Sequence, residues 1–137
     1  MLLCSQWADD SIHECAGLVT WGVLKSYQCS DTNYYVCEKS LGVPQKCAQG
    51  WELYGDSCYK RYHHDQRPWD EARATCTKQN ADLVVINSHT ENNYIYEFAS
   101  HDGVNVWLGL RENVSSNFFE FSVHARSNVF CSDLRLF

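Results

Sequence analysis

The chain is 137 residues long, enough for one modest core but not for two complete domains of ordinary size. It carries five Trp, eight Tyr and six Phe and a formal net charge of −6, and its Lys and Arg are not clustered, which argues against nucleic-acid binding. No run of eighteen or more apolar residues occurs, so no membrane span is predicted.

The N-terminal stretch Met1-Leu-Leu-Cys-Ser-Gln-Trp-Ala-Asp-Asp has too short an apolar run for a signal peptide. Short apolar runs then alternate with polar turns: Leu18-Val19, Trp21 to Leu24, and Tyr34-Tyr-Val-Cys37, the last preceded by the turn cluster Ser30-Asp-Thr-Asn33. Residues 40–46 have the Gly, Pro and polar content of a linker. Cys47 to His64 reads as a hairpin, with Trp51-Glu-Leu-Tyr54 and Cys58 to Tyr62 flanking the turn Gly55-Asp56-Ser57.

Two helices are predicted next. Pro68 suits a first helical turn, and Trp69, Ala72 and Cys76 fall on one face. Ser88-His-Thr-Glu91 is a capping box with Ile86 just before it, followed by an apolar stripe of Tyr94, Ile95 and Phe98. Ala81 to Ile86 is a short extended stretch, and Val106-Trp-Leu-Gly-Leu110 reads as a buried strand. Residues 123–137 continue no recognisable pattern and stand as an unassigned tail.

Eight cysteines in so short a chain indicate an oxidising compartment. No Cys-x-x-Cys pair occurs and the cysteines are mostly about ten residues apart, a spacing of strands and hairpins and not of zinc knuckles, so structural disulfides are expected. Secreted-type cysteines without a signal peptide mark the sequence as a fragment of a larger protein. No nucleophile elbow, phosphate-cradling glycine loop or helical His-x-x-x-His pair is present, and no enzyme is expected. The His63-His64 doublet falls in a predicted strand, where adjacent side chains point to opposite faces, so the two are not expected to share a metal site. Trp51, Trp69 and Trp107 coincide with hairpin, helix and strand landmarks and are expected in the core. Asn113-Val-Ser115 is a glycosylation sequon.

Cys15-Ala-Gly-Leu, Cys29 and Tyr34-Tyr-Val-Cys37-Glu-Lys resemble the closing portion of a C-type lectin-like domain. Cys47-Ala-Gln-Gly-Trp51, Cys58-Tyr-Lys, Trp69-Asp-Glu-Ala72, Cys76 and Trp107-Leu-Gly-Leu110 resemble the opening portion of the same domain type. The resemblance implies an α+β fold, two helices with small antiparallel sheets, stapled by disulfides. It implies bridges Cys15–Cys29 and Cys47–Cys58 and a core bridge between Cys37 and Cys76, which here arrive in reversed order; Cys131 has no family-assigned partner.

Residues 1–39 are thus the C-terminal part of one module, 40–46 a linker, and 47–122 the N-terminal part of a second. Two readings of the reversal stand: a piece of a tandem array, or halves that fold onto each other as a circular permutant. The nine residues 38–46 that follow Cys37 span up to roughly 30 Å, so a Cys37–Cys76 bridge is geometrically open.

The resemblance also implies non-catalytic recognition of a glycan or protein ligand by an extracellular protein or receptor ectodomain. Sugar-binding members of the family use calcium held by clustered oxygen ligands. Asp9, Asp10 and Glu14 are weak remnants of such a set, and as acidic residues in a polar loop they also read as plain solvated charge. At the place of the family's Trp-Asn-Asp stand Leu24, Lys25 and Ser26, putting a cation where a dication would bind. No cofactor is therefore expected here, with calcium left to the full-length parent. Three functions follow as alternatives: calcium-dependent glycan binding, a calcium-independent protein-recognition module, and a fragment without activity of its own.

Overall fold

The computed structural model describes residues 15–19, 23–41, 46–100, 104–113 and 118–121. In chain order these form β1 (Cys15–Val19), β2 (Val23–Tyr27), β3 (Asn33–Ser40), β4 (Glu52–Tyr54), β5 (Ser57–Arg67), α1 (Trp69–Thr77), β6 (Asp82–Leu83), α2 (His89–Ile95), β7 (Val106–Asn113) and β8 (Phe118–Phe121). A π-helical turn, Tyr96–Ser100, extends α2. The tail 123–137 lies outside the described residues, as does Cys131. Ser40, assigned to the linker from sequence, is the last residue of β3 and faces Ser57 in the ladder with β5.

The strands join in the order β2-β1-β7-β3-β5-β4, with β6 on β3 and β8 on β7. Residues on both sides of segment 42–45 therefore share one sheet. All pairings are antiparallel except β3 with β7, where Tyr34 and Tyr35 face Val106 and Trp107 in parallel. This corrects the expectation of purely antiparallel sheets. Parallel neighbours need a long crossover, and residues 41–105 supply one that contains both helices.

Side chains alternate across a strand, and here both faces of the central strands are covered. Val36, Val106, Leu108 and Leu110 pack with Ile95 of α2, Val84 and Ile86 in one buried cluster. Their sequence neighbours Tyr35, Cys37 and Trp107 pack with Trp69, Ala72 and Cys76 of α1 and with Leu83 in a second. Burial on both faces is the reason that Val106-Trp-Leu-Gly-Leu110 is continuously apolar. The predicted helical face Trp69, Ala72 and Cys76 is the buried face of α1.

Trp69 and Trp107 are fully buried, whereas Trp51 is only half-buried, with Lys39 Nζ 5.8 Å from its ring centre. Trp51 precedes a three-residue strand, β4, on the far side of β5 from β3, and packs against the second cluster from its edge.

The cap of α2 is half of the expected box. Ser88 Oγ accepts from the Glu91 N–H (3.1 Å), but the Glu91 carboxylate turns to the Asn87 N–H (2.8 Å) and the Tyr59 hydroxyl (3.0 Å). Tyr59 reaches it from β5, and this contact with the core draws the carboxylate away from the Ser88 N–H.

Among the described residues three disulfides are formed: Cys15–Cys29, Cys37–Cys76 and Cys47–Cys58. They close sequence separations of 14, 39 and 11 residues. On the loop-entropy argument each contributes about 3–4 kcal/mol, the Cys37–Cys76 bridge most.

Candidate functional site

A cleft of about 670 Å³ among the described residues is lined by Gln28, Cys29, Ser30, Pro68, Asp70, Glu71 and Arg111. Three elements far apart in sequence meet there. The turn after β2 is closed by the Asp31 N–H on the Gln28 carbonyl (2.9 Å) and by the Gln28 N–H on Asp31 Oδ2 (3.1 Å). Cys29 ties that turn to β1. The first turn of α1 is clipped to it by the Trp69 N–H on the Cys29 carbonyl (3.0 Å).

Both buried tryptophans hold this geometry through their indole N–H groups. Trp69 Nε1 donates to the Leu108 carbonyl in β7 (2.8 Å), and Trp107 Nε1 donates to the Arg67 carbonyl at the end of β5 (2.7 Å). Arg111 completes the wall, 3.1 Å from Asp70 Oδ1 and with its guanidinium 5.4 Å from the Trp69 ring centre.

Chemically the cleft offers a guanidinium and an amide as donors and two carboxylates as acceptors, and its sulfur is held in a disulfide. That set fits polar, non-covalent recognition. Asp70 and Glu71 also sit in the first turn of α1, where the helix dipole favours negative charge.

The residues that the resemblance sets at the calcium motif, Leu24, Lys25 and Ser26, lie in β2, the strand that precedes the cleft-lining Gln28. Lys25 is exposed on β2, its Nζ 5.5 Å from the centre of the Tyr27 ring. Tyr27 meets Trp107 edge-on at 5.7 Å and packs over Gly17, and its hydroxyl pKa is raised by burial and then by Asp31. A lysine ammonium held over this ring does not fit a dication site, which needs about six to eight oxygen ligands. Ser26 is in β2 by its backbone. Asp9, Asp10 and Glu14 lie outside the described residues. Among those described, no group of three or more His, Cys, Asp and Glu is arranged to hold a metal ion.

A second polar cluster was not foreseen from sequence. Tyr35 donates to Asp65 Oδ2 (2.5 Å), and Arg67 Nε donates to the same oxygen (2.7 Å). The two donors hold the Asp65 carboxyl below its ordinary range, Tyr35 more than Arg67, while burial and then Asp65 push the Tyr35 hydroxyl up to about 12. Asp65 lies in an irregular stretch of β5: Tyr62 faces Tyr35 and Arg67 faces Asn33, so residues 63–66 have no partner in the β3 ladder. The opposite-face placement expected of His63 and His64 in a regular strand is not what this irregular stretch shows. Their rings lie on one side, centroids 3.9 Å apart, because the strand is not regularly pleated there. The His63 pKa is lowered by partial desolvation, then by His64 and Arg61.

The model of the Lectin C-type domain family matches residues 65–130. The chain is similar to the secretory phospholipase A2 receptor of Oryctolagus cuniculus, 27% identical over 113 residues, which cover 72% of the chain and 8% of the receptor. It is similar to C-type mannose receptor 2 of Rattus norvegicus, 26% identical over 114 residues, covering 74% of the chain and 8% of the receptor. C-type lectin domain family 1 member B of Homo sapiens is 29% identical over 99 residues, covering 63% of the chain and 42% of that protein. The chain thus spans less than a tenth of the two receptors and under half of the third protein. No solved structure matches.

Proposed function

The chain carries a C-type lectin-like domain, and from that premise we propose that it is a non-catalytic recognition module that engages its ligand without calcium. The observation that carries this reading is Lys25, a cation over the Tyr27 ring at the position where sugar-binding members supply a calcium-ligating amide. The contact surface is the cleft between the Gln28–Ser30 turn, the start of α1 and Arg111, and a protein ligand suits its mixture of an exposed ion pair with polar donors and acceptors. One relative is named for a secretory phospholipase A2 and another for mannose, so both a protein and a glycan ligand occur among the names of similar proteins.

On the same reading the module works outside the cell as part of a longer receptor. Residues 1–39 and 47–122 are the end of one module and the start of the next in a tandem array, and in isolation they associate as a permuted unit. Asn113, the last residue of β7, is its glycan acceptor.

The test is thermal unfolding of the oxidised chain in millimolar calcium and in chelator, beside retention on mannose- and galactose-agarose. The reading predicts the same Tm in both buffers and no calcium-dependent retention. Binding to the native state stabilises it by mass action, so a Tm that rises with calcium concentration, or retention released by chelator, overturns it.

A further inference from the structure

We propose that His63 and His64 form a two-imidazole site for a first-row divalent transition-metal ion, of the Zn²⁺, Ni²⁺ or Cu²⁺ class. Consecutive residues of a regular strand face opposite ways, but residues 63–66 have no partner in the β3 ladder, which puts both rings on the same side of β5. Both side chains are exposed, and among the described residues neither imidazole makes a hydrogen bond or ion pair; each has the other ring as its neighbour.

The two rings lie within reach of a shared ion. Zn–N bonds of about 2.0–2.1 Å at a tetrahedral centre place two ligand nitrogens roughly 3.3 Å apart and the ring centres roughly 5 Å apart, whereas the centroids here are 3.9 Å apart at an interplanar angle of 51°. The two exposed side chains open by about 1 Å through their side-chain torsions to take the ion between them. Imidazole nitrogen selects this class of metal over calcium or magnesium, which take oxygen. The neighbouring carboxylate of Asp65 is engaged by Tyr35 and Arg67. The protein therefore supplies two ligands, and water or a donor from a bound molecule supplies the others. The site is independent of the calcium question, being built from a different strand and different ligand atoms.

The experiment is a Zn²⁺ titration of the oxidised full chain, with any free thiol alkylated first, followed by calorimetry and by the ring signals of each histidine in NMR. The expected result is one ion bound, with the His63 and His64 signals shifting together. His63→Ala and His64→Ala each abolish that binding, and His89→Ala, at another exposed histidine, retains it. Both substituted side chains are exposed, and circular dichroism confirms that the variants fold. Unshifted His63 and His64 signals at millimolar Zn²⁺ overturn the proposal, as does unchanged binding in the variant lacking both.

Discussion

Cys37, in the centre of β3, is bonded to Cys76, in the last turn of α1, across 39 residues of sequence. Cys37 also faces Lys60 of β5 on one side and Leu83 of β6 on the other, so one residue before segment 42–45 is fixed to three elements after it. Replacing both cysteines by Ala removes the longest of the three loop closures among the described residues while the β3–β5 ladder persists. The expected loss is about 4 kcal/mol of unfolding free energy on the loop-entropy argument, measured by urea denaturation of the oxidised protein. A loss near zero would mean that the two sides of the chain associate without needing the covalent tie.

Gly17 in β1 sits beneath the Tyr27 ring. A Cβ there would meet Tyr27 Cε2 at 3.0 Å and the Val106 carbonyl oxygen at 3.2 Å. The ring can swing aside, but the carbonyl belongs to the β7 backbone. Gly17→Ala is therefore expected to cost about 1–3 kcal/mol by overpacking and to move Tyr27 off Trp107. Loss of the ring-current shift that Trp107 imposes on Tyr27 would report it in NMR.

Much of this fold is legible locally. The buried face Trp69, Ala72 and Cys76 and the Ser88 cap follow from helical spacing and local side-chain chemistry, and the turn follows from the cluster Gly55-Asp56-Ser57, with Gly55 at a positive φ of 60°. What depends on pairing distant segments is not legible from spacing. Nothing in His63-His64-Asp65-Gln66 signals an irregular strand; the irregularity follows from Asn33 pairing with Arg67 while Tyr35 pairs with Tyr62. The parallel β3–β7 contact and the hydrogen bond between Trp69 and Cys29 likewise join residues that no local pattern relates. Resemblance supplied the cysteine pairing, yet it carried no information on the cleft wall, because Arg111 and Asp70 meet only once β7 and α1 are docked.

Tyr35 titrates out of its ordinary range. Burial and then the bond to Asp65 raise its pKa from 10.0 to about 12. In the unfolded chain the phenol ionises at its ordinary value, so this contribution to stability is fully present below about pH 10 and is lost as pH rises towards 12. Difference titration of tyrosinate absorbance between the wild type and Tyr35→Phe should show one phenol ionising late. Asp65→Asn should lower that midpoint only in part, because burial is the larger cause.

Glu91 is buried and its two carboxylate oxygens serve different elements, Oε1 the Tyr59 hydroxyl and Oε2 the Asn87 backbone. In Glu91→Gln the amide oxygen can keep the Asn87 N–H, but the NH₂ group then meets the Tyr59 hydroxyl, whose own O–H is left without this acceptor. A buried group left without its partner costs about 1–3 kcal/mol, whereas Ser88→Ala, which removes only the cap, costs about 1 kcal/mol. Chemical denaturation of the two variants should therefore rank Glu91→Gln as the more damaging.

Arg111 and Asp70 separate recognition from stability. Their ion pair is largely solvent-exposed, and pairs of this kind contribute about 0–1 kcal/mol. Arg111→Ala should leave Tm nearly unchanged apart from lost packing on the Trp69 ring. The same substitution removes the guanidinium from the cleft wall, so a ligand seated there loses a charge-assisted hydrogen bond, typically about 1.5–3 kcal/mol or one to two orders of magnitude in Kd. Asp70→Asn removes the carboxylate charge beside the guanidinium and should weaken binding less, or strengthen it for an acidic ligand. Titration of a bound ligand against the three proteins would show that ordering, and equal affinities would place the contact surface elsewhere on the domain.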